Sequence, residues 1–153
     1  MVEPIRFEKG DAMQCVGIRR THAYADAVAG IQKQWKEMAS LGRIEGARGD
    51  TLYGIMCGAD ENGFEYMCGV EVADFAAAPA ELGRIRIPAQ EYAVFAVPDT
   101  REIAQVWLGI WQEWIPQSAY EIAHTPEFER YGDGFATKRV EIWASVVKND
   151  SRQ

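Results

Sequence analysis

Apolar residues never run uninterrupted for the ~20 positions that a membrane-spanning helix needs. The start, Met1-Val2-Glu3-Pro4-Ile5-Arg6, is charged at once and lacks the apolar core of a signal peptide. The expectation is a cytoplasmic chain with no membrane partner. Histidine is scarce: His22 and His124 stand far apart with no CxxC or HxxxH beside them, so no metal site is expected. GxSxG, P-loop and GxGxxG motifs are missing, and with them any sign of a cofactor. Clustered Lys and Arg are missing too. The longest basic run is Arg19-Arg20, in a chain of net charge −7 with 23 acidic against 16 basic residues. Direct nucleic-acid binding is not expected of such a surface, whereas a cationic partner suits it. Cysteine occurs three times, at Cys15, Cys57 and Cys68, each inside an apolar stretch. An odd number without a secretory signal reads as small buried hydrophobes, not a disulfide framework.

What remains is a chain of 153 residues, 48% hydrophobic, enough for one domain with its own core. Ala12 to Ile18 is the first strand candidate. A helix follows, in which Tyr24, Val28, Ile31, Trp35 and Met38 recur at three- and four-residue steps. Leu52 to Cys57 and Phe64 to Val72 form a hairpin about the turn Asp60-Glu61-Asn62-Gly63, with Phe64, Tyr66, Cys68, Val70 and Val72 on one face. After the connector Ala76 to Ala80 come two short strands, Ile85 to Ile87 and Glu91 to Val97. The second helix is capped by Asp99 with Glu102 three residues on. It carries the stripe Ile103, Val106, Trp107, Ile110, Trp111 and Trp114 and is stopped by Pro116. Gln117 to Thr137 reads as a long loop, and Arg139 to Val147 as the last strand.

Ala29 to Trp35 and Leu108 to Trp114 share Gly, Ile and Trp in register, a weak internal repeat. Strand–helix–strand–strand, read twice, predicts an α+β domain over residues 1–153, with halves at about 1–75 and 81–148. Its antiparallel sheet has two helices on one face and a ligand groove on the other side.

The stretch Trp111 to Glu121 (WQEWIPQSAYE) resembles the helix end of GyrI-like domains. So do Pro126 to Tyr131 (PEFERY) and Val140 to Trp143 (VEIW). This is the fold of effector-binding domains in AraC-type and MerR-type multidrug-sensing regulators. With fewer than a dozen residues before the first strand candidate, the resemblance implies a stand-alone sensor without a helix-turn-helix. Family members often have glycine where Ala119 stands and proline where Ser145 stands, which touches loop and strand-end detail only.

Alternation in the last strand puts Arg139, Glu141, Trp143 and Ser145 on the face away from the helices. A carboxylate beside a large ring is what a groove for a flat cation needs. The resemblance gives Glu141 that part; read alone, it is equally a solvated residue or a partner of Arg139. Trp143, Tyr66, Trp111, Trp114, Tyr92 and Tyr131 are the candidate aromatic walls, and core packing is the competing explanation for Tyr66, Trp111 and Trp114. Glu121, Glu127 and Glu129 with His124 read as a solvated loop. The resemblance leaves three functions open. One is binding of small hydrophobic or cationic aromatic ligands. Another is a cofactor-free hydrolase that opens strained cyclopropane rings, with Glu141 as base. The third is a protein-interaction inhibitor of the gyrase-inhibitor type. A monomer, a homodimer or association with a separate regulatory protein are the expected states.

Overall fold

The computed structural model describes residues 2–132 and 139–150. Among these residues are nine strands: β1 (Arg6–Gly10), β2 (Met13–Ala23), β3 (Leu52–Cys57), β4 (Gly63–Val72), β5 (Gly83–Ile87), β6 (Gln90–Val97), β7 (Tyr120–Ile122), β8 (Glu127–Tyr131) and β9 (Val140–Lys148). Helix α1 (Ala27–Ser40) joins β2 to β3. Helix α2 (Ile103–Gly109) continues through a π-turn (Ile110–Trp114) into a last α-turn (Ile115–Gln117).

The sheet is antiparallel throughout, in the order β1-β6-β9-β8-β3-β4-β2-β5, with β7 paired to the far end of β9. That order is palindromic. Outward from the β8–β3 junction, β8-β9-β6 on one side matches β3-β4-β2 on the other. The outermost strands are exchanged: β1 pairs with β6 of the second half, and β5 with β2 of the first.

Both helices lie on one face. The stripe of α2 packs with Ala93, Phe95, Val97, Val140, Ile142, Ala144 and Val146, so the last strand turns its apolar face to the helices as expected. Under α1, Phe64, Tyr66, Cys68, Val70 and Val72 meet Val16, Ile18 and Met38. Trp35, Leu52 and Met56 touch both clusters and join them. The opposite face, expected to carry a groove, holds its own cluster: Cys15, Tyr53, Ile55, Met67, Ile85, Ile87, Tyr92, Val94 and Phe128.

Several sequence expectations need correction. Strand β1 went unseen because Arg-Phe-Glu-Lys-Gly carries charge on both faces and has no apolar alternation. The segment from Gln117 is not one long loop, since it contains β7 and β8; its part over 133–137 lies outside the described residues. Pro116 sits inside the final turn of the second helix, which ends one residue later. Tyr24 lies in a 3-10 turn before α1 and is exposed, as is Val28 in its first turn; the residues that α1 buries are Gln34 and Met38. Cys15 and Cys68 are buried but Cys57 is only half-buried, and all three are free thiols. The Asp99 carboxylate caps as expected, accepting from the Arg101 amide at 2.8 Å.

Gln34 is the polar pin of the first half. Its Nε2 donates to the carbonyls of Ile18 at 2.7 Å and Tyr66 at 2.8 Å, while its Oε1 lies 2.7 Å from His22 Nε2. An amide oxygen can only accept, so His22 carries its proton on Nε2. Gly30 lies against the other ring nitrogen, where a Cβ would come within 2.5 Å. Gln34→Leu takes this partner from His22 and from the Ile18 and Tyr66 carbonyls and is expected to cost about 2–4 kcal/mol in denaturant unfolding. A loss under about 0.5 kcal/mol would mean that the pin carries little.

Candidate functional site

Strand β8 crosses the middle of the sheet, and alternation sends Glu127, Glu129 and Tyr131 to the helix face. Glu129 is fully buried there, directly across from Gly54 of β3 and Ile142 of β9. Its Oε1 accepts from the Tyr66 hydroxyl at 2.7 Å and the Tyr131 hydroxyl at 2.9 Å, and its Oε2 from Trp107 Nε1 at 3.0 Å. Trp35 Nε1 donates in turn to the Tyr66 oxygen at 3.1 Å. The carboxylate thus lies in the seam between the helices, tied to α1 through Tyr66 and to α2 through Trp107. Gly54 makes the floor. A Cβ there would run into the Tyr66 hydroxyl and stand 2.6 Å from Glu129 Oε1, so only glycine leaves room.

Among the described residues no Lys, Arg or His pairs with Glu129. Burial penalises its charge more than the bonds from Tyr66, Trp107 and Tyr131 restore, and its pKa is raised above the ordinary carboxylate value. The same burial, together with the charge of Glu129, raises both tyrosines.

Glu127, two residues earlier, is also buried. It accepts from the Ser145 amide at 3.0 Å, from the Ser145 hydroxyl at 3.3 Å and from the Trp111 side chain. Here β9 leaves β8 for β7, and the carboxylate takes the place of a missing rung. Burial pushes Glu127 up to about 7 against the opposing hydrogen bonds. Trp107 and Trp111 stack with centroids 5.0 Å apart, so a paired indole wall serves both carboxylates. Glu127 and Glu129 are therefore not the solvated loop residues expected; of that group only Glu121 and His124 are exposed.

The residues singled out from the sequence fall into three places. Tyr66, Tyr131 and Trp111 gather around the two buried glutamates. Trp114 lies further along the helix, against Phe95, Tyr120 and Phe7. Glu141, Trp143 and Tyr92 share the opposite face. Trp143 stacks on Phe128, and Tyr92 meets both rings edge-on. Glu141 there receives a bidentate grip from Arg6 at 2.8 and 2.9 Å and a bond from Trp143 Nε1 at 3.0 Å. Burial pushes its pKa up, but Arg6 and Trp143 outweigh it and hold the carboxylate below its ordinary value. Its partner is thus Arg6 on the unseen β1. Glu129 was missed because β8 was read as a loop; taken as a strand, Glu-Phe-Glu-Arg-Tyr puts two acids and a tyrosine on one face.

The family model of the integron-associated effector binding proteins (Cass2) matches residues 6–146. The chain belongs to that family. Its structure resembles that of SAV2435 bound to tetraphenylphosphonium, with TM-score 0.74 and 20% identity over 97% of this chain and 98% of that one. An integron cassette protein of Vibrio cholerae gives 0.72 at 16% identity over 95% and 97%. The C-terminal domain of EcmrR gives 0.58 at 15% identity over 94% and 96%. In an EcmrR–DNA complex the match spans 57% of the EcmrR chain. At these identities the likeness is one of fold, and it bears out the GyrI-like α+β architecture. No curated protein matches.

The raised carboxylate gives a stability prediction. Glu127 holds its proton to about pH 7 when folded, against an ordinary value of 4.5. Between those values the folded state binds the extra proton, so stability falls as pH rises from about 4.5 to 7, by roughly 3 kcal/mol at most. Glu127→Gln still accepts from Ser145 but cannot ionise, and urea unfolding at several pH values should show a flatter profile than wild type across that window. An unchanged profile would mean that Glu127 titrates normally.

Proposed function

We propose that this protein binds lipophilic aromatic cations and that Glu129 is the charge that selects them. The observation that carries this is a fully buried carboxylate with no basic partner among the described residues, enclosed by Tyr66, Tyr131, Trp35 and Trp107. A cation beside it offsets the desolvation that now raises its pKa, and the rings add apolar area and cation–π attraction. Three donors already occupy its oxygens, so few lone pairs remain for a ligand's own N–H groups. The best match is a bulky, delocalised cation attracted by field and shape. Membership in an effector-binding family supports the reading, as does tetraphenylphosphonium in the SAV2435 structure.

Glu141, favoured from the sequence, already has its counter-charge in Arg6, and a ligand there would have to displace a guanidinium. Glu129 faces no such competitor. Its burial makes entry depend on α1 and α2 parting, with Trp107 giving way, so apparent affinity is reduced by the rarity of the open state. A carboxylate of raised pKa between two phenols is also where a bound water could be deprotonated, and the hydrolase reading moves to Glu129 with it.

Tryptophan quenching by tetraphenylphosphonium, compared with neutral triphenylphosphine oxide, tests the proposal. Glu129→Gln should weaken the cation by at least about tenfold, roughly 1.4 kcal/mol, and spare the neutral compound. Glu141→Gln should leave both unchanged. Equal losses for cation and neutral compound in Glu129→Gln, or a cation-specific loss only in Glu141→Gln, would refute the assignment.

A further inference from the structure

The proposed cation site stands on Glu129, yet the same face of β8 carries a second buried acid. Glu127 precedes it by two residues, a spacing of about 6.5 Å along the backbone. Its hydrogen-bond partners are neutral: Ser145 on β9, through amide and hydroxyl, and Trp111 on the second helix. Two other ionisable groups lie around it. One is Glu129 on its own strand, and the other is the buried phenol of Tyr92 on β6, whose pKa the charge of Glu127 helps to raise. Among the described residues no Lys, Arg or His pairs with Glu127.

Trp111 ties this carboxylate to the seam. Its ring stacks on Trp107 with centroids 5.0 Å apart and planes 26° from parallel, and Trp107 donates to Glu129. The two acids are thus bonded by the two rings of one stacked pair, at the place where the helix passes from α-turns into the π-turn Ile110–Trp114. Buried ring surface screens charge far less than water does. An ionised Glu127 therefore acts on a cation held beside Glu129.

We infer that Glu127 is a second specificity-determining charge of the cation site, and that it gives up its proton to solvent when a cation enters the seam. The inference rests on the proposed binding of cations at Glu129. The exchange balances: one cation is taken up, one H+ leaves the carboxyl group, and the seam keeps its charge. A neutral ligand of the same shape displaces no proton. Burial pushes Glu127 up to about 7 in the empty protein, and a neighbouring cation lowers that value. Below about pH 7 the complex then holds fewer protons than the free protein, so cation affinity rises with pH and levels off once Glu127 is ionised in both. Glu129, whose pKa is also raised, adds a trend of the same sign, and comparison of variants separates the two.

Tryptophan quenching of the full chain by tetraphenylphosphonium, with triphenylphosphine oxide as neutral control, tests this from about pH 5.5 to about 8.5. At the alkaline end Glu127→Gln should bind the cation about threefold more weakly than wild type. The gap should close toward the acid end, where wild-type Glu127 is itself neutral. The neutral compound should bind both proteins alike at every pH. Glu61→Gln, which removes an exposed carboxylate from the hairpin turn, should match wild type throughout. At about pH 6.5, calorimetry in buffers of different ionisation heat should show wild type releasing more protons per cation than Glu127→Gln. A merely structural role for Glu127 would move neither the closing gap nor the proton count. A gap of constant size, no gap, or an equal proton count overturns the inference, while a cation-specific loss in Glu129→Gln leaves the binding reading standing. An equal loss in Glu61→Gln overturns it as a general charge effect. Without saturable quenching by the cation, or without the loss in Glu129→Gln, the binding reading falls and this inference with it.

Discussion

A buried carboxylate with no cation beside it among the described residues is the constraint around which the middle of this molecule is arranged. Charge in such a place is tolerated only when every oxygen finds a donor. The donors to Glu129 come from β4, from β8 and from α2, and Trp35 of α1 steadies one of them. Each helix is therefore referenced to the same two oxygen atoms. Gly54 belongs to the same constraint, because the Tyr66 hydroxyl and the carboxylate occupy the volume a side chain would take.

The palindromic strand order explains why the carboxylate sits where it does. The two halves meet along β8 and β3, and nothing from a single half could enclose a residue on that junction. Tyr66 and Trp35 come from the first half, Tyr131 and Trp107 from the second. The exchange of β1 and β5 fastens the halves together at the outer edges as well. The continuous ladder runs beneath the seam between the helices. For the ligand proposed above, the seam is the place of entry and the sheet below it the fixed support.

Much of this was legible in the sequence where burial imposes a period. The hairpin face from Phe64 to Val72, the stripe on α2 and the apolar face of β9 all fell where alternation or helical spacing put them. Alternation also placed Glu141 and Trp143 correctly on the face away from the helices. What it could not reveal was the partner. Arg6 sits on a five-residue strand of mixed charge whose place beside β6 depends on an exchange across the whole chain. Likewise β8 is short and bears acids at two of its three inward positions, a pattern that reads as solvent-facing until the tyrosines and indoles opposite are known. Tyr24 and Val28 erred the other way: their spacing is helical, but Tyr24 falls in the 3-10 turn before α1 and Val28 in its first turn, and both stay exposed.

The contrast between Glu129 and Glu141 shows why position on a face does not decide function. Both are glutamates on neighbouring central strands, and each is bonded by an indole N–H. Arg6 completes Glu141, and its pKa is lowered; its ion pair is partly exposed, and such pairs add little to stability. Glu129 has hydroxyls and an indole in place of a cation, and its pKa is raised. A folded protein gains from the first arrangement and loses from the second. Retaining an uncompensated charge at the centre of the core is costly unless something else supplies the compensation. Phenols and indoles solvate a carboxylate without neutralising it, and the cation proposed for this site would supply what they leave out.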